Sequence, residues 1–304
     1  MTTTSCGSLP GNRYNRRHYS VRGISVIIDF HTHIYPPWLR AKREEYLKLD
    51  ATFAELFTNP DAKMATAEQL IKRMDEDGVD VSVVMGIGWT DIDLARAAND
   101  YIIESIQKYP DRLVGFASVN PAWGDDAVKE VERCAEAGLR GIGELHPDTQ
   151  GFDLGDRDAM LPLMTVAQEQ GQIVTTHSSE PVGHTYPGKG TTTPDVLWRF
   201  IQNFPDVTIV CAHWGGGLPF YALMPEVGAG LNHAHFDSAA SPFLYDKRIF
   251  STVASEIGVD RILMGSDYPL IRVQTIIRQI DSTELSRPAK ELIKGGNAAR
   301  LLDI

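Results

Sequence analysis

Four separate apolar runs of this chain end on a side chain that can ligate a metal. That recurrence constrains the fold more than any other feature. Ile27-Ile28-Asp29-Phe30-His31-Thr32-His33 closes on two histidines with one residue between them. On a strand, side chains alternate faces, so His31 and His33 project the same way and make half of a metal site. Three later runs end similarly: Ile173-Val174-Thr175-Thr176-His177, Thr208-Ile209-Val210-Cys211-Ala212-His213 and Arg261-Ile262-Leu263-Met264-Gly265-Ser266-Asp267. A fold that gathers four strand ends at one place is required.

Short β-branched runs alternate with segments of helical period from residue 26 onward. The pattern predicts strands near 26–30, 81–86, 112–118, 139–145, 172–176, 207–211, 233–237 and 261–265. Helices lie between them, stopped by Gly78, Gly138, Gly171 or Pro205. Eight such alternations predict parallel strands joined by crossover helices. A doubly wound open sheet would carry a glycine-rich phosphate loop after its first strand, where His31-Thr32-His33 stands instead. In an open sheet, strands so far apart could not converge on one ion. In a barrel every carboxyl end faces one mouth. The expected class is therefore α/β, a (β/α)8 TIM barrel, and 304 residues exceed the roughly 250 it needs.

The domain occupies residues 25–304, preceded by a tail over 1–24. Arg13, Arg16, Arg17, His18 and Arg22 stand there among Ser, Thr, Asn and Gly, which reads as a disordered basic segment. A net charge of −11 argues against nucleic acid as a partner. No apolar run reaches membrane-spanning length. Three widely spaced cysteines, Cys6, Cys134 and Cys211, read as reduced thiols of a cytoplasmic protein.

Borderline divalent ions take imidazole nitrogen and carboxylate oxygen. His31, His33, His177 and Asp267 supply such a set, with Asp267 serving both coordination and catalysis. His213 is placed as general base beside a metal-bound water. Glu144 and His146 share a face of the fourth strand. Glu144 either bridges a second metal or stands beside a single ion.

These motifs, with Ala212-His213-Trp214-Gly215-Gly216-Gly217-Leu218-Pro219-Phe220, Met264-Gly265-Ser266-Asp267-Tyr268-Pro269 and the closing Gly296-Asn297-Ala298-Ala299-Arg300-Leu301, resemble the amidohydrolase superfamily. Within it they resemble the amidohydrolase-related branch that includes aminocarboxymuconate-semialdehyde decarboxylase. The resemblance covers about residues 26–303. It implies a distorted barrel, a divalent metal on His31, His33, His177 and Asp267, and His213 as acid/base. It also implies a homodimer.

The first functional reading is a metal-dependent hydrolase that attacks a small ester, lactone or amide through a metal-activated water. The alternative is a non-oxidative decarboxylase of an aromatic or unsaturated acid; a more distant one is a binding protein with a vestigial site. Zinc is the first expectation for the ion, with manganese or iron as alternatives. The partner is a small molecule. Arg40, Trp89, His146, His184, Trp214 and Tyr268 are candidate substrate contacts, and Arg40, Arg43 and Arg272 could clamp a carboxylate. Segments 35–65 and 178–193 follow strand ends and should wall the mouth.

Overall fold

A computed structural model describes residues 26–304, so the expected tail over 1–24 lies outside the described residues. Eight parallel strands run in sequence order: β1 Ile28–His33, β2 Val81–Met85, β3 Leu113–Ala117, β4 Gly141–Leu145, β5 Ile173–Thr176, β6 Ile209–Cys211, β7 Ala234–Asp237 and β8 Ile262–Leu263. They form the expected TIM barrel. Nearly every strand residue is buried, because helices cover the outside and side chains fill the inside.

β1 is longer at its carboxyl end than its apolar run suggests. It stays paired with β2 through Thr32↔Val84 and His33↔Met85, so both histidines sit within the strand. The barrel closes between β8 and β1 by backbone bonds: Phe30 N donates to Met264 O (2.8 Å), Asp267 N to His31 O (2.9 Å) and His33 N to Tyr268 O (2.7 Å).

The helices begin and end where local chemistry dictates. α1 (Ala67–Asp77) opens on a reciprocal cap between Thr66 and Gln69. It stops at Gly78, whose φ of 70° a residue without Cβ adopts freely. α2 (Ile92–Lys108) is capped by Asp91, and α3 (Asp125–Glu136) follows β3. α4 (Arg157–Glu169) starts from Asp156, which accepts from the amides of Asp158 and Ala159. α5 (Pro194–Asn203), α6 (Pro225–Gly230), α7 (Ile249–Ile257) and α8 (Val273–Asp281) complete the ring. α8 buries Val273, Ile276, Ile277 and Ile280, at the three- and four-residue spacing of one helix face.

The two segments that break the strand–helix rhythm meet. Residues 35–65 fold into three short helices whose Leu39, Phe53 and Phe57 pack with Tyr35, Ile87 and Trp89. Gly188, in the segment after β5, donates its amide to Glu55 Oε1 (3.1 Å) and so joins the two. Cys134 and Cys211 are buried free thiols. Among the described residues no helix is long and apolar enough to cross a membrane.

Candidate metal centre

Strand alternation places His31 and His33 side by side, with their Nε2 atoms 3.1 Å apart. Each ring's other nitrogen already has an acceptor. His31 Nδ1–H donates to Asp237 Oδ2 (2.8 Å), and His33 Nδ1–H to the carbonyl of Met85 (3.2 Å). With both rings neutral the two Nε2 lone pairs face each other, an arrangement that either a proton on His31 or a cation between the rings relieves. Two donors about 2.1 Å from a common ion stand about 3.0–3.4 Å apart. The observed separation fits that requirement.

Asp267 Oδ1 completes this group, 3.2 Å from His33 Nε2 and 3.9 Å from His31 Nε2. Its turn is held by Asp29, which accepts from the amide (2.8 Å) and hydroxyl (2.5 Å) of Ser266. A second group, His31, Glu144 and His213, shares His31. Glu144 Oε2 lies 3.5 Å from His31 Nε2 and 3.7 Å from His33 Nε2. Its Oε1 faces His213 Nε2 (3.3 Å) and accepts from His177 Nδ1 (3.0 Å). His213 Nδ1–H donates to the carbonyl of Ala239 (3.1 Å), so its Nε2 points inward to Glu144.

Three carboxylates, Glu144, Asp237 and Asp267, thus converge on buried imidazoles, and among the described residues no Lys or Arg pairs with them. Burial opposes a charge on His213, but the hydrogen bond and charge of Glu144, with Asp267, push it up to about 9. Burial likewise opposes charge on His31, and Asp237 and Glu144 outweigh it and raise the ring well above its ordinary value. The same field attracts a divalent ion. The donors fit such an ion.

The sequence points to His31, His33, His177, Asp267, Glu144 and His213 at one centre, and the structure gathers all of these but His177 into the two donor groups. His177 is near but in neither group: as oriented it gives its Nδ1–H to Glu144, while Nε2 faces Ser179 Oγ at 3.5 Å. Its ring stacks on that of His146, with centroids 4.4 Å apart and planes 14° apart. Burial first, and then His177, lowers His146 to about 3. Asp237, at the carboxyl end of β7, also serves the centre. Its bond to His31 joins residues 206 positions apart, which no local motif announces.

Several proposed substrate contacts lie elsewhere. Trp214 is fully buried, donates to Ser241 Oγ (3.0 Å) and packs edge-on against Phe250. Tyr268 turns outward to line a small hollow with Leu70, Arg73 and Val273. Each directly follows an inward donor in a turn beyond its strand end, where His213 and Asp267 have φ of 53° and 65°. Trp89 is buried and stacks on Phe53 as part of the wall. His184 is exposed beside Tyr186, and Arg40 is exposed on a short helix. The arginine clamp fails at two of its three members. Arg43 braces the carbonyls of Phe57, Asn59 and Pro60, and Arg272 pairs with Asp77. Tyr35 is buried against Phe57, and burial, with the charges of Asp267 and Glu144, raises its hydroxyl well above the ordinary value.

A family model described as Amidohydrolase matches residues 28–304. The 2-amino-3-carboxymuconate-6-semialdehyde decarboxylase of Dictyostelium discoideum is 24% identical, over 92% of each chain. The gamma-resorcylate decarboxylase of Polaromonas sp. is 24% identical, over 69% of this chain and 76% of its own. Among solved structures, 5-carboxyvanillate decarboxylase from Novosphingobium aromaticivorans, complexed with manganese, superposes with a TM-score of 0.76. It is 20% identical, with 92% of this chain and 96% of that one covered. These relatives overturn the expectation of hydrolysis: all three are decarboxylases. Zinc gains no support either, since the solved relative carries manganese.

Proposed function

The chain belongs to the amidohydrolase family, and from that premise we propose that it is a metal-dependent, non-oxidative decarboxylase of a small aromatic or unsaturated carboxylic acid. One observation carries the reading. A buried mouth brings imidazoles and carboxylates together in a chain whose relatives, aligned across the barrel, remove carboxyl groups.

His31, His33 and Asp267, with Glu144 Oε2 beside them, would hold one divalent ion, proposed as manganese. Bound there, the ion supplies a Lewis acid that offsets the negative charge of the substrate. One ion is favoured over two because His177 turns an N–H, not a lone pair, toward Glu144. His177 serves the centre through Glu144.

In the reaction the bond from carbon to the carboxylate breaks, its electron pair stays on carbon, and a proton takes the place of CO₂. His213 is the group to carry that proton. Its ring is fixed by Ala239, and Glu144 stabilises the charged form. Tyr35, Leu39, Phe53 and Trp89 wall the mouth and exclude water. The substrate is a small molecule, with neither nucleic acid nor membrane as partner. The working unit is proposed as a cytoplasmic homodimer, which sedimentation would test for assembly.

The deciding experiment is a panel of benzoic acids, with matched esters, lactones and amides, given to manganese-loaded and metal-stripped protein. Metal-dependent CO₂ release from acids is expected. Acid release from the esters or amides, without CO₂ from any member, would refute the proposal.

A further inference from the structure

Residues 181–189 stand at the mouth after β5, and little holds them there. Pro181 to Thr185 and Pro187 are exposed, Val182 by 75%. Among the described residues no side chain of this stretch joins the apolar core. The stretch braces itself instead. Lys189 Nζ donates to the carbonyls of Val182 (2.8 Å) and His184 (2.9 Å) and lies over the ring of Tyr186. The Tyr186 hydroxyl donates to Glu180 Oε2 (2.8 Å) at the base of the stretch. Such a segment, with few apolar contacts, belongs to the low-stability end of a fold and opens locally.

Its two legs are fixed. Ser179 N donates to the carbonyl of Thr192 (2.9 Å) and so pairs them. Asp148 accepts from Thr191 N (2.9 Å), Thr191 Oγ1 (2.6 Å) and Thr192 Oγ1 (3.2 Å). Beyond these legs one hydrogen bond ties residues 181–189 to the rest of the described chain, from Gly188 N to Glu55 Oε1 (3.1 Å). Fixed legs, a self-braced span and a single far bond make a hinge, a flap and a latch.

What the flap covers adjoins the metal centre. Gly188 lies on His146, so that a Cβ there would stand 3.5 Å from His146 Nε2. That nitrogen is enclosed and has no hydrogen-bond partner. The His146 ring stacks on His177, whose Nδ1–H donates to Glu144. An enclosed polar nitrogen without a partner is costly, and lifting Gly188 would give it water. The shut flap thus carries a penalty that opening relieves, and the bond to Glu55 works against it. His31, His33, Glu144 and His213 are each at most 6% exposed, so whatever reaches them must pass what stands at the mouth.

We propose that residues 181–189 are a hinged flap over the His146 side of the metal centre, latched by Glu55, which opens to admit ions and small molecules. The inference rests on the proposed metal centre and not on the reaction performed there.

The test uses the full chain and diethyl pyrocarbonate, which acylates a neutral imidazole that it can reach. His146 is neutral at pH 7, since burial, and then His177, lowers it to about 3. Peptide mass spectrometry compares it with His184, exposed on the flap itself, and with His235 inside β7. In the wild type His146 should react far more slowly than His184. Glu55→Ala removes the latch and should quicken His146 about fivefold, with His235 unchanged. Glu55→Gln keeps an accepting oxygen and should stay within about twofold of the wild type. Deuterium should also enter the Gly188 amide faster in Glu55→Ala, while the Ser179 amide at the fixed leg keeps its rate. Metal-free Glu55→Ala should take up manganese faster than the metal-free wild type.

His146 reacting as fast as His184 in the wild type would overturn the proposal, since nothing would then cover it. So would a Glu55→Ala protein that reacts at the wild-type rate, or a joint rise of His146 and His235, which is loosening of the whole barrel. Faster acylation with unchanged manganese uptake would deny the flap its part as an entrance. None of these readouts involves CO₂ release. A flap that behaves as stated, in a protein that decarboxylates no acid, would count against the decarboxylase reading alone.

Discussion

Replacing Asp237 with asparagine should damage metal binding while leaving the barrel folded. The carboxylate is fully buried and serves three donors: His31 Nδ1 at Oδ2 (2.8 Å), and the amides of His213 (3.1 Å) and Ala239 (2.9 Å) at Oδ1. An amide of the same shape has only one accepting atom. If its oxygen keeps the two backbone donors, its NH₂ faces His31 Nδ1. The ring must then accept there and carry its hydrogen on Nε2, the atom that should meet the ion. If the amide turns over, two buried backbone donors face an NH₂ instead. The first arrangement costs less, so the altered tautomer should prevail. Loss of such an orienting partner typically weakens metal affinity about 10- to 100-fold, or about 1.4–2.7 kcal/mol. Chelator competition gives the manganese Kd of the wild type and of Asp237→Asn, and circular dichroism checks the fold. A folded variant that binds manganese within twofold of the wild type would refute the reasoning.

Three further outcomes follow from other residues. If His213 carries the proton as proposed, His213→Ala should retain the ion but lose about 10²- to 10⁴-fold in turnover; metal analysis beside kinetics checks both halves. In Gly265→Ala the new Cβ would fall 2.7 Å from His31 Cβ, so His31 must move. Manganese affinity should fall at least tenfold and stability by about 1–3 kcal/mol, read by competition and thermal unfolding. His235 is lowered from 6.5 to about 4, by burial and then by Arg261 and Arg300. The unfolded chain takes up that proton first as pH falls, so this contribution to stability is whole above about 6.5 and is lost on acidification through about 4. The loss is about 1.4 kcal/mol per pH unit within that window. Urea titrations at pH 7 and pH 5 should show His235→Leu losing about 2 kcal/mol less than the wild type; equal losses would discard this account.

The barrel was legible because its signals are local. Each strand is a short β-branched run, and each lies within a few residues of where its run stands. The convergence of His31, His33, His213 and Asp267 followed from strand ends sharing one mouth. What failed to show were partnerships between distant segments. Asp237 meets His31 across 206 positions, and nothing local to either residue announces the pairing. Arg43 and Arg272 looked available near strand ends, yet carbonyls and Asp77 brought close by folding take them up. Trp214 and Tyr268 are a different case. Both stand past their strand ends beside left-handed residues, His213 at φ 53° and Asp267 at φ 65°, and no residue pattern in the chain shows where such a turn sends its neighbours. The reaction itself left no local trace, since both chemistries use the same inward donors.

β8 contains only two residues, and the ring closes through the stretch that carries Asp267. An ion bonded to His31 and His33 on one side and Asp267 on the other would therefore fasten the seam as a rivet does. Stripping it should loosen the sheet at that junction before any other, so that deuterium enters the amides of His33 and Asp267 early. A parted seam also turns β1 and β8 into free edges, and unpaired strand edges invite other chains. Chelation would then convert a matter of catalysis into one of colloidal behaviour: protein held without metal should self-associate, and restoring manganese should dissolve only what has not yet aggregated.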